Sequence, residues 1–197
     1  NSKARIGIYI FSFFIISSLF TPLFIGSPTD YVGVPLEPPS MDHWFGTNGQ
    51  GQDVFSQTIH GARKTLFIAI FSGFLVVMVG AIIGGISGYF GGRIDDFLSL
   101  LINIFLLLPG LPLMVILAAW LPPGSLTIII VLVFTGWAWH ARVLRSQIMS
   151  YRKQDFVLAS KVCGESNFRI IAVEILPRML SLITSSFIGA TIYGIGA

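Results

Sequence analysis

The sequence has few charged residues and a single cysteine. Asp, Glu, Lys and Arg make up 11% of its 197 residues, whereas a soluble domain carries about 25%. The one cysteine, Cys163, excludes an internal disulfide and does not indicate a redox compartment. Hydrophobic residues make up 54% of the chain, and mean hydropathy is +0.82. This composition excludes an ordinary soluble domain and predicts a chain that lies in lipid.

The sequence also lacks the motifs of catalysis, metal binding and nucleotide binding. In HGARKT, Lys64 and Thr65 are not preceded by the glycines of a phosphate loop. His43 and His60 lie far from any pattern of second metal ligands, and no serine has the surroundings of a catalytic nucleophile. We therefore predict no catalytic residue, no metal site and no cofactor-binding residue. Nothing indicates a nucleic-acid partner, and any energy for transport must come from another polypeptide.

Five apolar runs are long enough to cross a hydrocarbon core of roughly 30 Å, which takes about 20 helical residues. They are residues 6–25, 65–90, 97–120, 126–149 and 177–197. The sequence therefore predicts an all-α membrane protein with five transmembrane helices. The first run is too long for a signal peptide, so we interpret it as a retained span. Because the chain starts at Asn1 and ends in an apolar stretch, we expect a fragment that lacks at least one C-terminal span.

The central parts of these runs contain no ionisable side chain. Ion-coupled carriers use such groups inside the membrane for their relays. A channel or secondary carrier is therefore disfavoured.

The positions of Lys and Arg predict the orientation of the spans. With the N-terminus inside, ten of these residues are cytoplasmic and two, Arg63 and Lys64, are outside. The ten are Lys3, Arg5, Arg93, Arg142, Arg145, Arg152, Lys153, Lys161, Arg169 and Arg178. We predict a multi-pass protein of the cytoplasmic membrane whose N-terminus is cytoplasmic. A first part, 1–64, would hold one span and an outer segment, and a second, 65–197, the membrane core.

Glycine and proline mark two places in the core. Gly80, Gly84 and Gly88, followed by Gly92, recur at every fourth residue, which predicts a helix face where another backbone packs closely. Pro109 and Pro112 must kink or break the third span, since each lacks a backbone donor. The bend either lines a pore or is a feature of packing.

Trp137, Trp139 and His140 lie near the inner end of the fourth run. Tryptophan is enriched at the headgroup level, so we interpret the pair as membrane anchors. We expect His140 to be an interfacial residue rather than a ligand.

The longest inner segment, 150–176, contains QDFVLASKVCGESNFR, from Gln154 to Arg169. Its pattern predicts a short amphipathic helix, a turn at Gly164, and a second helix capped by Ser166 or Asn167. The second helix would run to Leu176, and Pro177 would open the next span. Such a shape either docks a cytosolic partner or lies on lipid, and the residues alone leave both open.

The stretch DFVLASKVCGESNFRIIAVEILP resembles the cytoplasmic "EAA…G…I-x-L-P" loop of ABC importer permeases. Leu158 stands where the family has Glu, and Glu174 where it has Ile. The residues that match are Ala159, Ser160, Gly164, Leu176 and Pro177. The resemblance implies that this coupling loop docks on an ATPase. The docking residues would be Asp155, Phe156, Ala159, Ser160, Gly164, Glu165 and Ser166.

A second stretch, HWFGTNGQGQDVFSQTIHGARKTL, resembles the outer signature of the C-type permease subunit in the peptide/nickel branch of that family. Asn48, Gln52 and Gln57 depart from the family's usual Asp, Arg and Arg. The residues that agree are Gly46, Thr47, Gly51, Asp53, Ser56, Gly61, Ala62 and Arg63. GYFGGRIDD, LPGLPL and GWAWHARVLRSQ are also similar in order and spacing.

The resemblance implies a six-span permease of which five spans are present, with residues 65–197 as its core. It implies a homologous second permease, two cytosolic ATP-binding subunits that carry ATP and Mg, an extracytoplasmic solute-binding protein and the surrounding lipid as partners. The expected function is ATP-driven import of peptides or related small solutes, without enzymatic activity in this chain. The alternative is a membrane scaffold or accessory subunit that does not transport.

Overall fold

The computed structural model describes residues 2–197, and the side chains of all of these except residues 2–4, 8 and 22. Lys3, which contributes to the predicted orientation, is outside the described side chains. Helices account for every regular element of the described residues, which confirms the predicted all-α class. The α-helices are α1 Ser2–Phe20, α2 Val54–Phe90, α3 Gly92–Leu107, α4 Gly110–Trp120, α5 Ser125–Tyr151, α6 Asp155–Val162, α7 Asn167–Arg169 and α8 Leu180–Gly196.

Three continuous helical stretches are long and apolar enough to cross a membrane: Val54–Phe90, Ser125–Tyr151 and Asn167–Gly196. The predicted third span is a pair of helices, α3 and α4, bent by 87° at their junction. The predicted first span is the shorter apolar helix α1. Among the described residues, three helices have the length and composition of a membrane span, or four if the bent pair is one span, so the fifth predicted span stays a prediction.

The bend between α3 and α4 confirms the predicted break at Pro109. Leu108 and Pro109 have extended backbone conformations, and α4 starts at Gly110. Pro112 lies in the first turn of α4, where its missing N–H removes no helical hydrogen bond. The proline that breaks the long apolar run is thus Pro109.

The chain divides into two compact units, Asn1–Phe67 and Ile68–Ala197. The first contains α1, the outer segment and the start of α2. The second contains the rest of α2 and every later helix.

In the second unit, glycines bring α2 against α5. A Cβ on Gly84 would lie 3.0 Å from the backbone nitrogen of Arg145. A Cβ on Gly88 would lie 2.7 Å from the backbone oxygen of Arg145, and one on Gly80 would lie 3.0 Å from the nitrogen of Ala141. Real Cβ atoms rarely approach backbone atoms within 3.0 Å, so these glycines let α2 and α5 pack closely, and the 2.7 Å approach at Gly88 leaves no room for a side chain.

Two further glycines, which the spacing analysis missed, bring α8 against α2. A Cβ on Gly73 of α2 would lie 2.7 Å from Oγ1 of Thr191, and one on Gly194 of α8 would lie 3.2 Å from Oγ of Ser72. Gly92 does not continue the face that contains Gly88. It lies beyond the end of α2, has a φ of +55°, and begins α3.

The environment of Trp137 shows that the membrane-anchor interpretation is wrong for this residue. Trp137 is buried with Ile102 and Ala138, and its ring centroid is 4.9 Å from that of Phe105. Trp139 is exposed. The two tryptophans differ in burial because they lie on different faces of α5, although both are near its inner end.

The predicted separation of the second inner helix from the last span is also wrong, because residues 167–196 form one helical stretch. Within it, a π-helix at Ile170–Ile175 and a 3-10 turn at Leu176–Met179 precede α8. Pro177 cannot donate a backbone hydrogen bond, and its ring would clash with a carbonyl in a regular α-helix. The irregular turns accommodate it, and Arg178 Nε donates to the carbonyl oxygen of Glu174 at 3.1 Å.

Candidate functional site

The inner segment turns sharply at Gly164. This glycine has a φ of +78°, in the left-handed region. Its N–H donates to the carbonyl oxygen of Lys161 at 3.0 Å, and the N–H of Glu165 donates to that of Ser160 at 3.1 Å. These two bonds form the Schellman motif, which satisfies the last carbonyls of α6 and favours glycine at this position.

The next helix starts directly after the turn. The hydroxyl of Ser166 accepts a hydrogen bond from the N–H of Arg169, so Ser166 is the N-cap of α7. The side chains of Glu165 and Arg169 form an ion pair at 3.1 Å. Interactions between neighbouring residues therefore fix the end of α6 and the start of α7, on either side of the Gly164 turn.

One side of α6 is anchored in the protein. Val157 is fully buried, and Phe156 packs against the same core with the Arg178 guanidinium 3.9 Å from its ring centroid. Ser160 Oγ donates to the carbonyl oxygen of Phe156 at 3.0 Å. The other buried members of this core are Tyr89, Leu144, Ile148, Ile170, Ile175 and Met179.

The opposite side of the segment exposes apolar side chains. Val162 is 88% exposed, Phe168 is 81% exposed, and Leu158 is 49% exposed. We call these three residues the inner surface. Among the residues assigned to docking from the sequence, Asp155 and Ala159 are also exposed. The amphipathic pattern did not separate the buried Val157 from its exposed neighbours, because α6 has only two turns.

Tyr89, near the end of α2, contacts three parts of the inner segment. Its hydroxyl donates to Oδ1 of Asn167 at 2.9 Å, and Nζ of Lys161 lies 4.9 Å from its ring centroid. Its carbonyl oxygen accepts from Nη1 of Arg152 at 3.1 Å. No sequence motif indicated this link between α2 and both helices of the segment.

A charged cluster holds the connection between α2 and α3 against α5. Arg145 Nη2 donates to Oδ2 of the buried Asp95 at 2.7 Å, and Arg145 Nε donates to Oγ of Ser87 at 3.1 Å. The Ser87 hydroxyl also donates to Asp95. We call these three residues the ion-pair cluster. In the sequence, Arg145 had served only as one of the basic residues that predict the orientation of the spans.

The residues of the outer motif shape the outer segment. Gly46 and Gly51 each have a φ of +70°, and a Cβ on either would overlap a backbone oxygen. The Thr47 hydroxyl accepts from the N–H of Glu37 at 2.9 Å. Thr47 forms an isolated bridge with Asp53.

The end of the motif fixes the start of α2. Asp53 Oδ1 accepts from the N–H of Phe55 at 2.8 Å, which makes Asp53 the cap of the helix. The buried Ser56 donates to the carbonyl oxygen of Gly26 at 2.7 Å. Gly61 and Arg63 lie exposed on the helix.

The three departures from the family motif contact one another. Asn48 Nδ2 donates to Oε1 of Gln52 at 3.0 Å and to Oε1 of Gln57 at 3.3 Å. Gln57 Nε2 donates to Oε1 of Gln52 at 2.7 Å and to the carbonyl oxygen of Pro28 at 3.1 Å. We call these three side chains the amide cluster. Neutral hydrogen bonds therefore occupy the place where the family pattern has charges.

His43 lies in the outer segment beside Asp53, with 3.7 Å between its Nδ1 and the Oδ2 of the carboxylate. Across the described residues, no group of three or more His, Cys, Asp or Glu side chains is arranged to hold a metal ion.

A groove of about 590 Å³ lies between α2, α5 and α8. Its lining includes Ser72, Thr135, His140, Ser185 and Tyr193, and contains no Asp, Glu, Lys or Arg. His140 therefore faces a cavity, which the interfacial interpretation did not indicate.

Residues 77–197 match the family described as "Binding-protein-dependent transport system inner membrane component". The chain belongs to this family. The permease is 38% identical over 187 residues to the dipeptide transport system permease protein DppC of Bacillus subtilis, an alignment that covers 93% of the permease and 58% of the relative. It is 37% identical to the oligopeptide transport system permease protein OppC of the same organism, with 93% and 61% covered.

A third relative is the nickel transport system permease protein NikC of Escherichia coli, 33% identical over 150 residues, with 74% of the permease and 54% of the relative covered. The permease thus spans roughly half to three fifths of the length of these relatives. Together they identify a multi-pass membrane transport permease of the peptide/nickel branch of ABC importers, a family of transport subunits and not of enzymes.

Proposed function

We propose that the permease is a transmembrane subunit of an ATP-driven importer that moves peptides or related small solutes across the cytoplasmic membrane. The observation that carries this proposal is the inner surface, whose apolar side chains flank the Gly164 turn in a segment fixed to the membrane core. The relatives named for dipeptide, oligopeptide and nickel transport support it.

The partners follow from the same proposal. A homologous permease completes the pathway, two cytosolic ATP-binding subunits carry ATP and Mg, and an extracytoplasmic solute-binding protein delivers the solute. The N-terminus is cytoplasmic, as the excess of Lys and Arg indicates.

The inner surface suits a protein partner better than lipid. An interfacial amphipathic helix has one continuous apolar face and a basic polar face. In α6 the apolar residues are divided, because Val157 is buried in the protein while Val162 is exposed. The segment also mixes acidic residues, among them Asp155 and Glu165, with its basic ones, and therefore lacks the uniformly basic polar face of a lipid-bound helix.

Movement of the ATPases would reach the membrane helices through two contacts. Val157 transmits displacement of α6 to the core that contains Leu144 and Ile148 of α5. Tyr89 transmits displacement of Lys161 and Asn167 to the end of α2. The result is a rigid-body movement of packed helices, of the kind that links remote sites.

Docking is tested by co-purification of the complete transporter from cells that express all its subunits. The double variant Val162→Ser with Phe168→Ser should lose the two ATP-binding subunits, because exposed apolar patches form such interfaces. Its folding should be unchanged, because both side chains are exposed.

The control variant is Met41→Ser, which removes an equally exposed apolar side chain from the outer segment and should retain both subunits. Wild-type recovery of the ATP-binding subunits by the double variant would contradict the docking role. Recovery of a different large complex would favour the scaffold alternative.

Coupling is tested at Gly164. No heavy atom lies within 4 Å of the Cβ position, so a substitution there acts through the left-handed backbone and not through a clash. Gly164→Val should strain the turn by about 1–2 kcal/mol and lower uptake per ATP hydrolysed in proteoliposomes. Gly164→Asn should keep the ratio near wild type, because asparagine tolerates this conformation. An unchanged ratio in the valine variant would show that the turn does not transmit force.

A further inference from the structure

Arg178 lies where the inner segment passes into α8, in a part of the helix with two irregular turns. The π-helix at Ile170–Ile175 is followed by the 3-10 turn at Leu176–Met179, which contains Pro177. A stretch of this kind inside a helix is typical of a hinge. What holds these turns therefore decides whether a movement of the inner segment reaches α8 or is absorbed before it.

The guanidinium of Arg178 holds the irregular turns from their outer side. Its Nε donates to the carbonyl oxygen of Glu174 at 3.1 Å, and its Nη2 lies 3.7 Å from Oε2 of the same residue. In a regular α-helix the carbonyl of residue 174 would accept from the backbone N–H of residue 178. The Arg178 side chain thus bonds to the acceptor that its own N–H would use in a regular helix, and it joins the two sides of Pro177.

The same guanidinium contacts α6. Its Cζ lies over the ring of Phe156, 3.9 Å from the centroid, which is a cation–π contact. Phe156 is in the first turn of α6, and its ring centroid is 6.4 Å from that of Tyr151, at the end of α5. One planar group therefore connects the turns before α8 to the start of α6.

These contacts have a direction, which the core packing lacks. Val157 shares a buried core with Ile175 and Met179. Apolar contacts are non-directional, so surfaces packed only in this way can slide past each other. A planar guanidinium that bonds to Glu174 and lies over the Phe156 ring sets both the distance and the orientation of the two elements.

We propose that Arg178 is a positioning residue, which fastens α6 to the irregular turns before α8 so that a displacement of the inner segment reaches α8. It acts through Phe156 and Glu174, without contact to the solute. The inference rests on the proposed function, and it adds a route to α8 to the two routes that lead to α5 and α2.

The contact itself is tested in the purified full chain in lipid nanodiscs, without ATP-binding subunits. Hydrogen–deuterium exchange of the α6 amides is measured by mass spectrometry. Arg178→Met keeps the apolar stem of an exposed side chain, so the protein should fold. It should raise the exchange of α6 about two- to fivefold, the factor that a cation–π contact contributes at an exposed site. Arg178→Lys keeps a cation for the ring and should recover most of the protection.

The matched control is Arg169→Met. Arg169 forms an exposed ion pair with a glutamate four residues earlier, as Arg178 does, but its partner Glu165 belongs to the inner segment. This variant should leave the exchange of the first turn of α6 unchanged.

A double-mutant cycle identifies the partner of Arg178. Phe156→Leu removes the aromatic ring and keeps an apolar side chain for the core. If the guanidinium acts through the ring, the double variant Arg178→Met with Phe156→Leu should exchange no faster than Phe156→Leu alone.

The positioning role is tested in proteoliposomes that contain the complete transporter. Arg178→Met should retain both ATP-binding subunits and their ATP hydrolysis, because Val162 and Phe168 are unchanged. Uptake per ATP hydrolysed should fall by about twofold or more, the lower end of the same factor. Arg178→Lys should restore it. A residue that only stabilises the fold would not change this ratio while the subunits stay bound.

Three results in the isolated chain would overturn the inference independently of the proposed function, since no ATPase is present. They are unchanged exchange in Arg178→Met, equal increases in the Arg169 and Arg178 variants, and effects of Arg178→Met and Phe156→Leu that multiply. Raised exchange with unchanged uptake per ATP would overturn the positioning role and leave the docking proposal intact. The double variant at Val162 and Phe168 tests that proposal separately.

Discussion

The ion-pair cluster and the amide cluster each use three polar side chains to hold an irregular part of the chain. Asp95 and Arg145 carry opposite charges, and Asp95 is buried. In the amide cluster every group is neutral, and Gln52 and Gln57 also bond to backbone carbonyls of the outer segment. An ion pair that loses one member leaves a buried charge, whereas an amide that loses one partner leaves a neutral group. Substitution of one residue should therefore lower the free energy of unfolding more in the ion-pair cluster than in the amide cluster.

The amide cluster also explains why the three departures from the family pattern occur together. Asn48, Gln52 and Gln57 contact one another, so one charged side chain among two amides would have no counter-charge. With amides at all three positions, the side chains bond to one another without any charge. The departures are thus one structural change.

The largest effect is expected from breaking the ion pair. Arg145→Met leaves the Asp95 carboxylate buried without its partner, which should lower the free energy of unfolding by about 3 kcal/mol. The double variant Asp95→Asn with Arg145→Gln converts the cluster to the neutral kind and should recover most of this loss. Denaturant unfolding in detergent micelles measures both. Equal free energies of unfolding for the single and double variants would contradict the claim that the unpaired buried charge causes the loss.

A smaller effect is expected when the charges stay and their approach is blocked. Gly88→Ala places a Cβ 2.7 Å from the backbone oxygen of Arg145, so α5 must move away from α2. The free energy of unfolding should fall by about 1–3 kcal/mol.

The control for this variant is Gly85→Ala on the same helix, where the nearest atom to the new Cβ is the flexible end of Ile148 at 3.8 Å. This change should be neutral or stabilise slightly, because alanine favours a helix over glycine. A loss in Gly85→Ala as large as that in Gly88→Ala would mean that helix propensity, and not close approach, explains both.

The smallest effect is expected in the amide cluster. Gln57→Arg brings in one charge without a counter-charge and removes the acceptor of the hydrogen bond from Asn48, which should cost about 1 kcal/mol. The triple variant N48D/Q52R/Q57R supplies the charges of the family pattern and should recover this loss. Thermal unfolding followed by circular dichroism tests the order of stabilities. A triple variant less stable than the single one would show that the surrounding backbone accepts only amides.

The parts of the fold that depend on local chemistry could be predicted from the sequence. Long apolar runs, the break at Pro109, the glycine turn at Gly164 and the cap at Ser166 each depend on a few consecutive residues. The contacts of Tyr89 could not be predicted, because its partner Asn167 is 78 residues away and either residue alone is unremarkable in composition.

The predictions that proved wrong concern residues whose sequence surroundings are alike but whose structural environments differ. Trp137 and Trp139 lie two residues apart, so a helix turns one into the core and the other outward. The inner turns around Pro177 look like a helix start, yet the chain remains helical through them by changing its hydrogen-bond spacing. The groove was missed because its hydroxyls lie on three different helices.

The π-helix at Ile170–Ile175 links the inner segment to α8, one wall of the groove. A π-helix holds more residues per turn than an α-helix, and its conversion to regular α-helix shifts the register that follows by one residue. In an α-helix one residue corresponds to about 100° of rotation and 1.5 Å of rise. Conversion of the π-helix to regular α-helix would therefore rotate α8 about its axis and change which of its side chains line the groove.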